Sequence, residues 1–454
     1  MNLNRKQYNI KRAFLLKSNI LNHQHKVNLP TIDNIHFIEN DTINGINFLK
    51  SNYNLINTTL DLKSDNLFKG KKKKDVLVKT FKIKVLPNDK QKQLLLSWMD
   101  TWIVMYNKVI SIIKEERKQQ SILSNKPLKY NEMNLDNLKL NKLKNSLNEF
   151  KKSLIKKSKI DSHTLDYCIN DALSSLSSSI TNLNKGHCKK SRLRFLKKTK
   201  KNKIIKIENN GSTITDKSFC VSKIGKFIKT IPNVNLMKTA NGVCILQYKN
   251  GKFYFLLKKK KLKIKQHQIR QQKVIALDPG HRSFMSGLSN DHLIEIGNKV
   301  DKKIKKELLK IDKIKSLKIK NKRRKLLKRE KDLKNYINNL HWQVVNYLTN
   351  SYNHILLGNY STKSMVQNKE TNKINKRIGS TLSFYQFKEK LIYKCILKSC
   401  NFSLIDEYNT TKACSNCSTL NNIGSSKEYN CENCNQRYSR DLNSSKNILL
   451  KAFN

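Results

Sequence analysis

Apolar and basic residues alternate from Val76 to Val85, with Val78, Thr80, Phe81, Ile83 and Val85 in the apolar set, which predicts a strand with one charged face. Pro87-Asn88-Asp89 stops it, and Asn88 can cap a helix. Leu95, Trp98, Trp102, Met105, Val109 and Ile112 follow at three- and four-residue steps, the period of a helix that buries an aromatic stripe. Core packing, rather than base stacking, is the use this pattern assigns to the tryptophans. A second amphipathic helix runs through Leu165, Ile169, Leu173, Leu176, Ile180 and Leu183 to Gly186, ahead of the basic stretch Lys189 to Lys203. Residues 204–265 hold short β-like pieces, Val243 to Tyr248 and Phe253 to Leu257, joined by the hairpin signal Asn250-Gly251. With the first strand, these pieces would close one small β-barrel around a helical insertion at about 88–203, although periodicity alone does not derive that closure.

Val274-Ile275-Ala276-Leu277-Asp278-Pro279-Gly280 is an apolar run with an acid at its end and a turn behind it, the pattern of a buried strand delivering a carboxylate to a sheet edge. Phe284 to Gly297 supplies more strand. Residues 301–348 read as a basic helical hairpin suited to a phosphate backbone, and His354 to Leu357 and Phe402 to Ile405 as two further strands. The expected class is therefore α+β and multidomain: an extension over residues 1–75, a β-barrel with helical insertion over 76–265, and an α/β domain over 266–454. The extension lacks sustained periodicity and is expected to be poorly ordered. Its closing run Lys69 to Lys74 reads equally as a nuclear import signal or a solvated linker.

Lys and Arg number 92 against 33 Asp and Glu, a formal charge of +59 over 454 residues. AT-rich coding would inflate Lys, Asn and Ile together, but it does not explain the shortage of acids. So large an excess is self-repelling without a polyanion, and nucleic acid is the expected partner. No run of about 20 apolar residues appears and the N-terminus has no apolar signal region, so membrane insertion and secretion are not expected and an intracellular location is.

Cys414-Ser-Asn-Cys417 and Cys431-Glu-Asn-Cys434 stand thirteen residues apart, the spacing of two turns that aim four thiolates at one structural Zn²⁺. Disulfides are the alternative, disfavoured because nothing suggests a secretory context. Cys168, Cys188, Cys220, Cys244, Cys395 and Cys400 show no ligand spacing. Asp278 and Glu407 each close an apolar strand, and Asp441 opens a helix just after the second cysteine pair. Carboxylates converging from separate elements are what a polynucleotide hydrolase needs to hold divalent ions, though a lone Asp at a strand end is more often a cap than a ligand.

From about Lys79 to Ala452 the chain resembles the TnpB/Fanzor group of RNA-guided nucleases, relatives of the type V CRISPR effectors. The resemblance is carried by Leu277-Asp278-Pro279-Gly280, His341-Trp342, Ile355-Leu356-Leu357, Met365-Val366, Asp406 to Cys417, and Arg440-Asp441-Leu442-Asn443. It implies an RNase H-like RuvC domain with an inserted zinc ribbon at about 410–438, preceded by a wedge-type barrel. It also implies Asp278, Glu407 and Asp441 as catalytic ligands for two Mg²⁺ ions, one structural Zn²⁺ on Cys414, Cys417, Cys431 and Cys434, a guide RNA, and a double-stranded DNA target flanked by a short motif. A nuclear location follows if the host is eukaryotic. TnpB proteins usually place the middle glutamate directly after the strand His354 to Leu357, where this chain has Gly358; Fanzor proteins use a glutamate before the ribbon, where Glu407 stands. The Fanzor branch is therefore favoured. Its rivals are a transposon-associated DNA-binding protein without nuclease activity and a structural RNA-binding protein, which would have no use for the three acids.

Overall fold

The computed structural model describes residues 35–38 and residues 76–452, the latter interrupted at 200–201, 209–214, 216–217, 226, 232–241, 263–272, 290–291, 320, 370 and 425. The lysine run at 69–74 lies outside the described residues, as does the rest of the 1–75 extension apart from one strand, β1 (Ile35–Ile38). The chain divides into two compact units, Val76–Lys261 and Met1–Asp75 with Leu262–Asn454.

The first unit begins with β2 (Val76–Leu86) and α1 (Asp89–Leu123). Asn88 and Gln91 form a reciprocal capping box, so orphan N–H groups of the first turn are satisfied and the helix starts where the Pro87 break ends. α1 buries Leu95, Trp98, Trp102, Met105 and Val109, as the stripe predicts; Trp98 is 1% exposed, and its indole N–H donates to the Ser158 carbonyl at 3.1 Å. That leaves no free face for stacking a base. α2 (Leu140–Ser146) and α3 (Asn148–Ser158), which periodicity did not reveal, complete the helical layer with α4 (Ser162–Asn184), capped by Asp161. After them come β3 (Asn202–Ile207), the single turn α5 (Val221–Ile224), β4 (Lys229–Ile231), β5 (Cys244–Lys249) and β6 (Lys252–Leu262). Asn250 (φ 51°) and Gly251 (φ 79°) both adopt the left-handed conformation that a tight hairpin turn between β5 and β6 requires. The sheet order is β3-β5-β6-β2-β4, with β3 and β4 as its edges among the described residues.

The second unit is built on a six-stranded sheet of order β1-β9-β8-β7-β10-β11, using β7 (Val274–Pro279), β8 (Met285–Ser289), β9 (Leu293–Ile296), β10 (His354–Gly358) and β11 (Asn401–Ile405). β7, β8 and β9 run antiparallel; β10 is parallel to both β7 and β11. β1, from the segment read as an extension, adds an antiparallel edge on β9. α6 (Val300–Ser316) and α7 (Lys322–Ser351) form the helical hairpin between β9 and β10. α8 (Thr362–Gln367), α9 (Lys373–Leu382) and α10 (Phe384–Lys398) lead to β11, and α11 (Arg440–Lys451) closes the unit.

Both faces of the central strands are covered, which is why β7 and β10 read as continuous apolar runs. Ile275, Leu277, Ile355 and Leu357 pack with Ile304 of α6, Val344 of α7 and Leu391 of α10. Val274, Ala276 and Leu356 pack with Leu442, Ile448 and Leu449 of α11. Successive strand residues point to opposite faces, so Asp278 and Gly358 continue the α11 side. The register Leu357↔Leu277 brings the ends of these two parallel strands level.

Candidate functional site

Asp278 ends β7 where the sheet meets α11, and its partner across the antiparallel ladder is Ser286 of β8. Part of its surface remains open while protein atoms crowd the carboxyl. Burial first, then the Glu407 and Asp441 carboxylates, hold Asp278 well above the usual carboxylate range, with Ser444 and Arg440 pulling the other way. Asp441 sits in the first turn of α11, one residue after Arg440 and two after the Ser439 cap, whose hydroxyl accepts from Leu442 N. The Ser286 hydroxyl donates to Asp441 Oδ2 at 3.4 Å, and Ser445 donates to the Ser286 carbonyl at 3.2 Å, so one serine ties the start of α11 to the strand beside Asp278.

Glu407 lies two residues beyond β11, on a turn closed by Thr410, whose N–H and hydroxyl both donate to the Glu407 carbonyl. The side chain folds back over β10. A methyl group built at Gly358 would lie 3.1 Å from both Cγ and Cδ of Glu407 and closer still to Oε1. Burial, with Asp406 second, pushes the Glu407 carboxyl up to about 7, and its Oε1 is buried without a hydrogen-bond partner. An orphaned carboxylate oxygen beside two more acids is a poor arrangement for an isolated protein and a good one for a hard cation. The residues present therefore fit a divalent ion held by Asp278, Glu407 and Asp441. The structure brings these predicted residues to one end of the sheet, though not to as tight a point as the thiols described next.

The four cysteines meet. Their sulfurs all lie within 4.8 Å of one another, with Cys414–Cys434 at 3.7 Å and Cys417–Cys431 at 3.4 Å, near the edge of about 3.8 Å for a tetrahedron of Zn–S bonds. Each C-x-x-C turn is followed by a residue in the left-handed region, Ser418 (φ 67°) and Asn435 (φ 53°), whose N–H bonds back to the carbonyl of the first cysteine. Cys414 N–H then bonds Thr419, and Cys431 N–H bonds Gln436, so the two knuckles repeat one backbone pattern. A short hairpin, β12 (Glu428–Asn430) with β13 (Arg437–Ser439), carries the second knuckle. Burial pushes the Cys414 thiol up to about 12; burial also acts on Cys417, but hydrogen bonding at Thr419, Asn433 and Cys431 together outweighs it and draws that thiol down to about 6. Thiols this close cannot all ionise without positive charge among them, which a Zn²⁺ would supply.

Sequence reasoning missed what joins the ribbon to the acids. Asn443, 0% exposed, accepts from Ser415 N–H at 2.9 Å and donates to the Ala413 carbonyl at 2.7 Å; Asn447 donates to the carbonyls of Thr410 and Ala413. The signal was present as two asparagines four apart on the apolar side of a helix, where an amide has to find a partner. Also unforeseen are His281, just past Asp278, and Tyr360, just past Gly358, whose ring nitrogen Nε2 and hydroxyl share a hydrogen bond. Burial lowers His281 and raises Tyr360, which Glu407 raises further.

Residues 384–448 match the family described as Cas12f1-like, TNB domain, a span that includes Glu407, all four ligand-spaced cysteines and Asp441. Residues 78–121 match the family described as a helix-turn-helix domain. The TnpB-like proteins L770 and R854 of Acanthamoeba polyphaga mimivirus are each 28% identical to this chain over 414 residues, covering 86% of it and 76% and 75% of themselves. These viral relatives are TnpB-like, and the chain resembles TnpB/Fanzor-type proteins. Among solved structures, a Cas12f1–sgRNA–target DNA complex is similar at 16% identity with a TM-score of 0.32, over 82% of this chain and 98% of that one.

The residues matching the helix-turn-helix family form β2 and one unbroken helix, α1, whose aromatic stripe is in the core. The His341-Trp342 motif likewise has a packing explanation. His341 is 1% exposed, stacks on Phe284, bonds the Leu382 carbonyl through Nε2 at 2.9 Å, and lies 3.1 Å from Lys390 Nζ through Nδ1. It locks α7 against the end of α9 and against α10. Among the described residues no helix is long and apolar enough to cross a membrane.

Proposed function

We infer that this protein is an RNA-guided, metal-dependent DNA endonuclease of the Fanzor branch, acting inside the cell and, in a eukaryotic host, in the nucleus. One observation carries the reading: the Glu407 carboxylate fills the space that a side chain at Gly358 would need, level with Asp278. A chain that had lost its nuclease would have no reason to return a buried, unpartnered carboxylate to that spot.

The strand order β9-β8-β7-β10-β11, three antiparallel and then two parallel, supports an RNase H-like RuvC domain. The five-stranded sheet with helices inserted between β2 and β3 supports the wedge barrel. Asp278, Glu407 and Asp441 would hold two Mg²⁺ ions, which when bound would activate water and stabilise the leaving oxygen of the phosphodiester. The protein's own part is to crowd three acids at one end of a rigid sheet, with Ser286 orienting Asp441 and the ribbon anchored to α11. The +59 charge supports a load of guide RNA and target DNA, with sequence read by pairing and a short flanking motif read by protein.

The test is to co-purify the protein with its RNA and exchange the guide segment. Cleavage should move to the DNA matching the new guide, in the presence of Mg²⁺ and an unchanged flank. Cutting that stays at the old site, or survives RNase treatment before assembly, would favour a conventional transposase-like protein.

A further inference from the structure

Tyr408 follows Glu407 directly and is 74% exposed, the most exposed of the large aromatic side chains among the described residues. An exposed ring is ordinary on a mobile loop, but the backbone of this one is pinned. Its N–H donates to Asp406 Oδ1 at 3.2 Å, and its carbonyl accepts from Lys451 Nζ, which also bonds the Asp406 carbonyl at 3.3 Å. Asn447 holds the far end of the same turn through the Thr410 carbonyl at 2.8 Å, and Thr410 is 2% exposed. Lys451 and Asn447 belong to α11, the helix that carries Asp441. The backbone that carries the ring is therefore held in register with two of the three acids while the side chain is left to solvent.

We propose that Tyr408 is a stacking platform for the unpaired base that flanks the scissile phosphate. The proposal rests on the nuclease reading, because it requires a polynucleotide strand running past Asp278, Glu407 and Asp441. A phosphate presented to those acids brings a base on each side, and in a single strand these bases have lost their stacking partners. An aromatic face one residue from Glu407 replaces that stacking without choosing a sequence. The Lys451 ammonium, drawn to the same turn, adds positive charge for the adjoining phosphate. Tyr408 thus positions the strand, and the carboxylates act on it.

The experiment uses guide-loaded protein and a matching DNA carrying 2-aminopurine next to the cut phosphate. Binding is followed in Ca²⁺, with cleavage measured separately in Mg²⁺. Stacking on Tyr408 should quench the probe. Tyr408→Ala should relieve the quenching and raise KM about 10-fold, a single stacking contact's worth, with kcat changed by less than about 2-fold. Tyr408→Trp should restore both. Unchanged fluorescence and KM in Tyr408→Ala would overturn the platform, as would equal loss in Ala and Trp variants. Failure of the nuclease reading looks different: wild-type protein binds the probe and does not cut, and the fluorescence of Tyr408→Ala still decides whether the ring stacks a base.

Discussion

The Glu407 carboxylate lies over Gly358, so close that no side chain fits at position 358 without displacing it. The two residues come from different strands' ends, β11 and β10, which pair in parallel with Gly358 opposite Ile405. Glycine here is required by approach rather than by backbone conformation. The missing acid after β10 and the acid before the ribbon are two descriptions of one occupied space.

This relationship predicts the behaviour of three variants. Glu407→Ala should lower cleavage on the order of 10³-fold, the loss of several kcal/mol of charge stabilisation, while DNA binding is retained. Gly358→Ala should do nearly the same by pushing Glu407 aside, although it removes nothing. The double variant Gly358→Glu with Glu407→Ala should recover at least about 10-fold over Glu407→Ala alone, measured as single-turnover cleavage. Wild-type rates in Glu407→Ala would refute the assignment.

The ribbon should carry one Zn²⁺ per chain by elemental analysis, and Cys431→Ser should lose it. Zinc binding in such modules contributes about 10–16 kcal/mol to folding, so the ribbon should become protease-sensitive. Because Asn443 and Asn447 fasten the first knuckle to α11, cleavage should fall as well. A zinc-free protein with full activity would contradict this.

Asn443→Ala separates anchoring from metal binding. It leaves the half-buried Ser415 N–H without its acceptor, a cost of about 1 kcal/mol, while all four thiols remain. Denaturant titration should show that loss with zinc content unchanged.

His341 makes stability depend on pH. Burial, followed by Lys390, depresses its pKa to about 4 from an ordinary 6.5. The unfolded chain therefore binds a proton that the folded chain refuses as pH falls through about 6.5. Stability should decline from there until about pH 4, by about 3 kcal/mol in all, and then level off. His341→Gln, which does not titrate, should flatten this part of the profile; an identical slope in the variant would place the dependence elsewhere.

Much of the fold was legible because its signals are local. The apolar runs of β7 and β10 reflect strands covered on both faces, the stripe of α1 reflects one buried helix face, and Asn250-Gly251 marks a turn that needs two left-handed residues. The helices α2, α3, α8, α9 and α10 left weaker traces. All but α10 run eleven residues or fewer, too few turns for a repeat to stand out among the neighbouring charges. β1 was read as extension because four residues acquire strand character only by pairing with β9.

By itself the sequence determined the chemistry: four thiols in two knuckles, three acids at the ends of elements, and a charge that calls for a polyanion. Spacing along the chain fixes which residues share a turn, so the four thiols that meet could be read directly. That the Glu407 side chain occupies the space over Gly358 depends on two strand ends made neighbours by the parallel pairing of β10 and β11, although Glu407 stands 49 positions after Gly358. Only the tertiary structure decided that, and with it the asparagine anchors and the turn that holds Tyr408 still, because each rests on hydrogen bonds or contacts between residues that no periodicity relates.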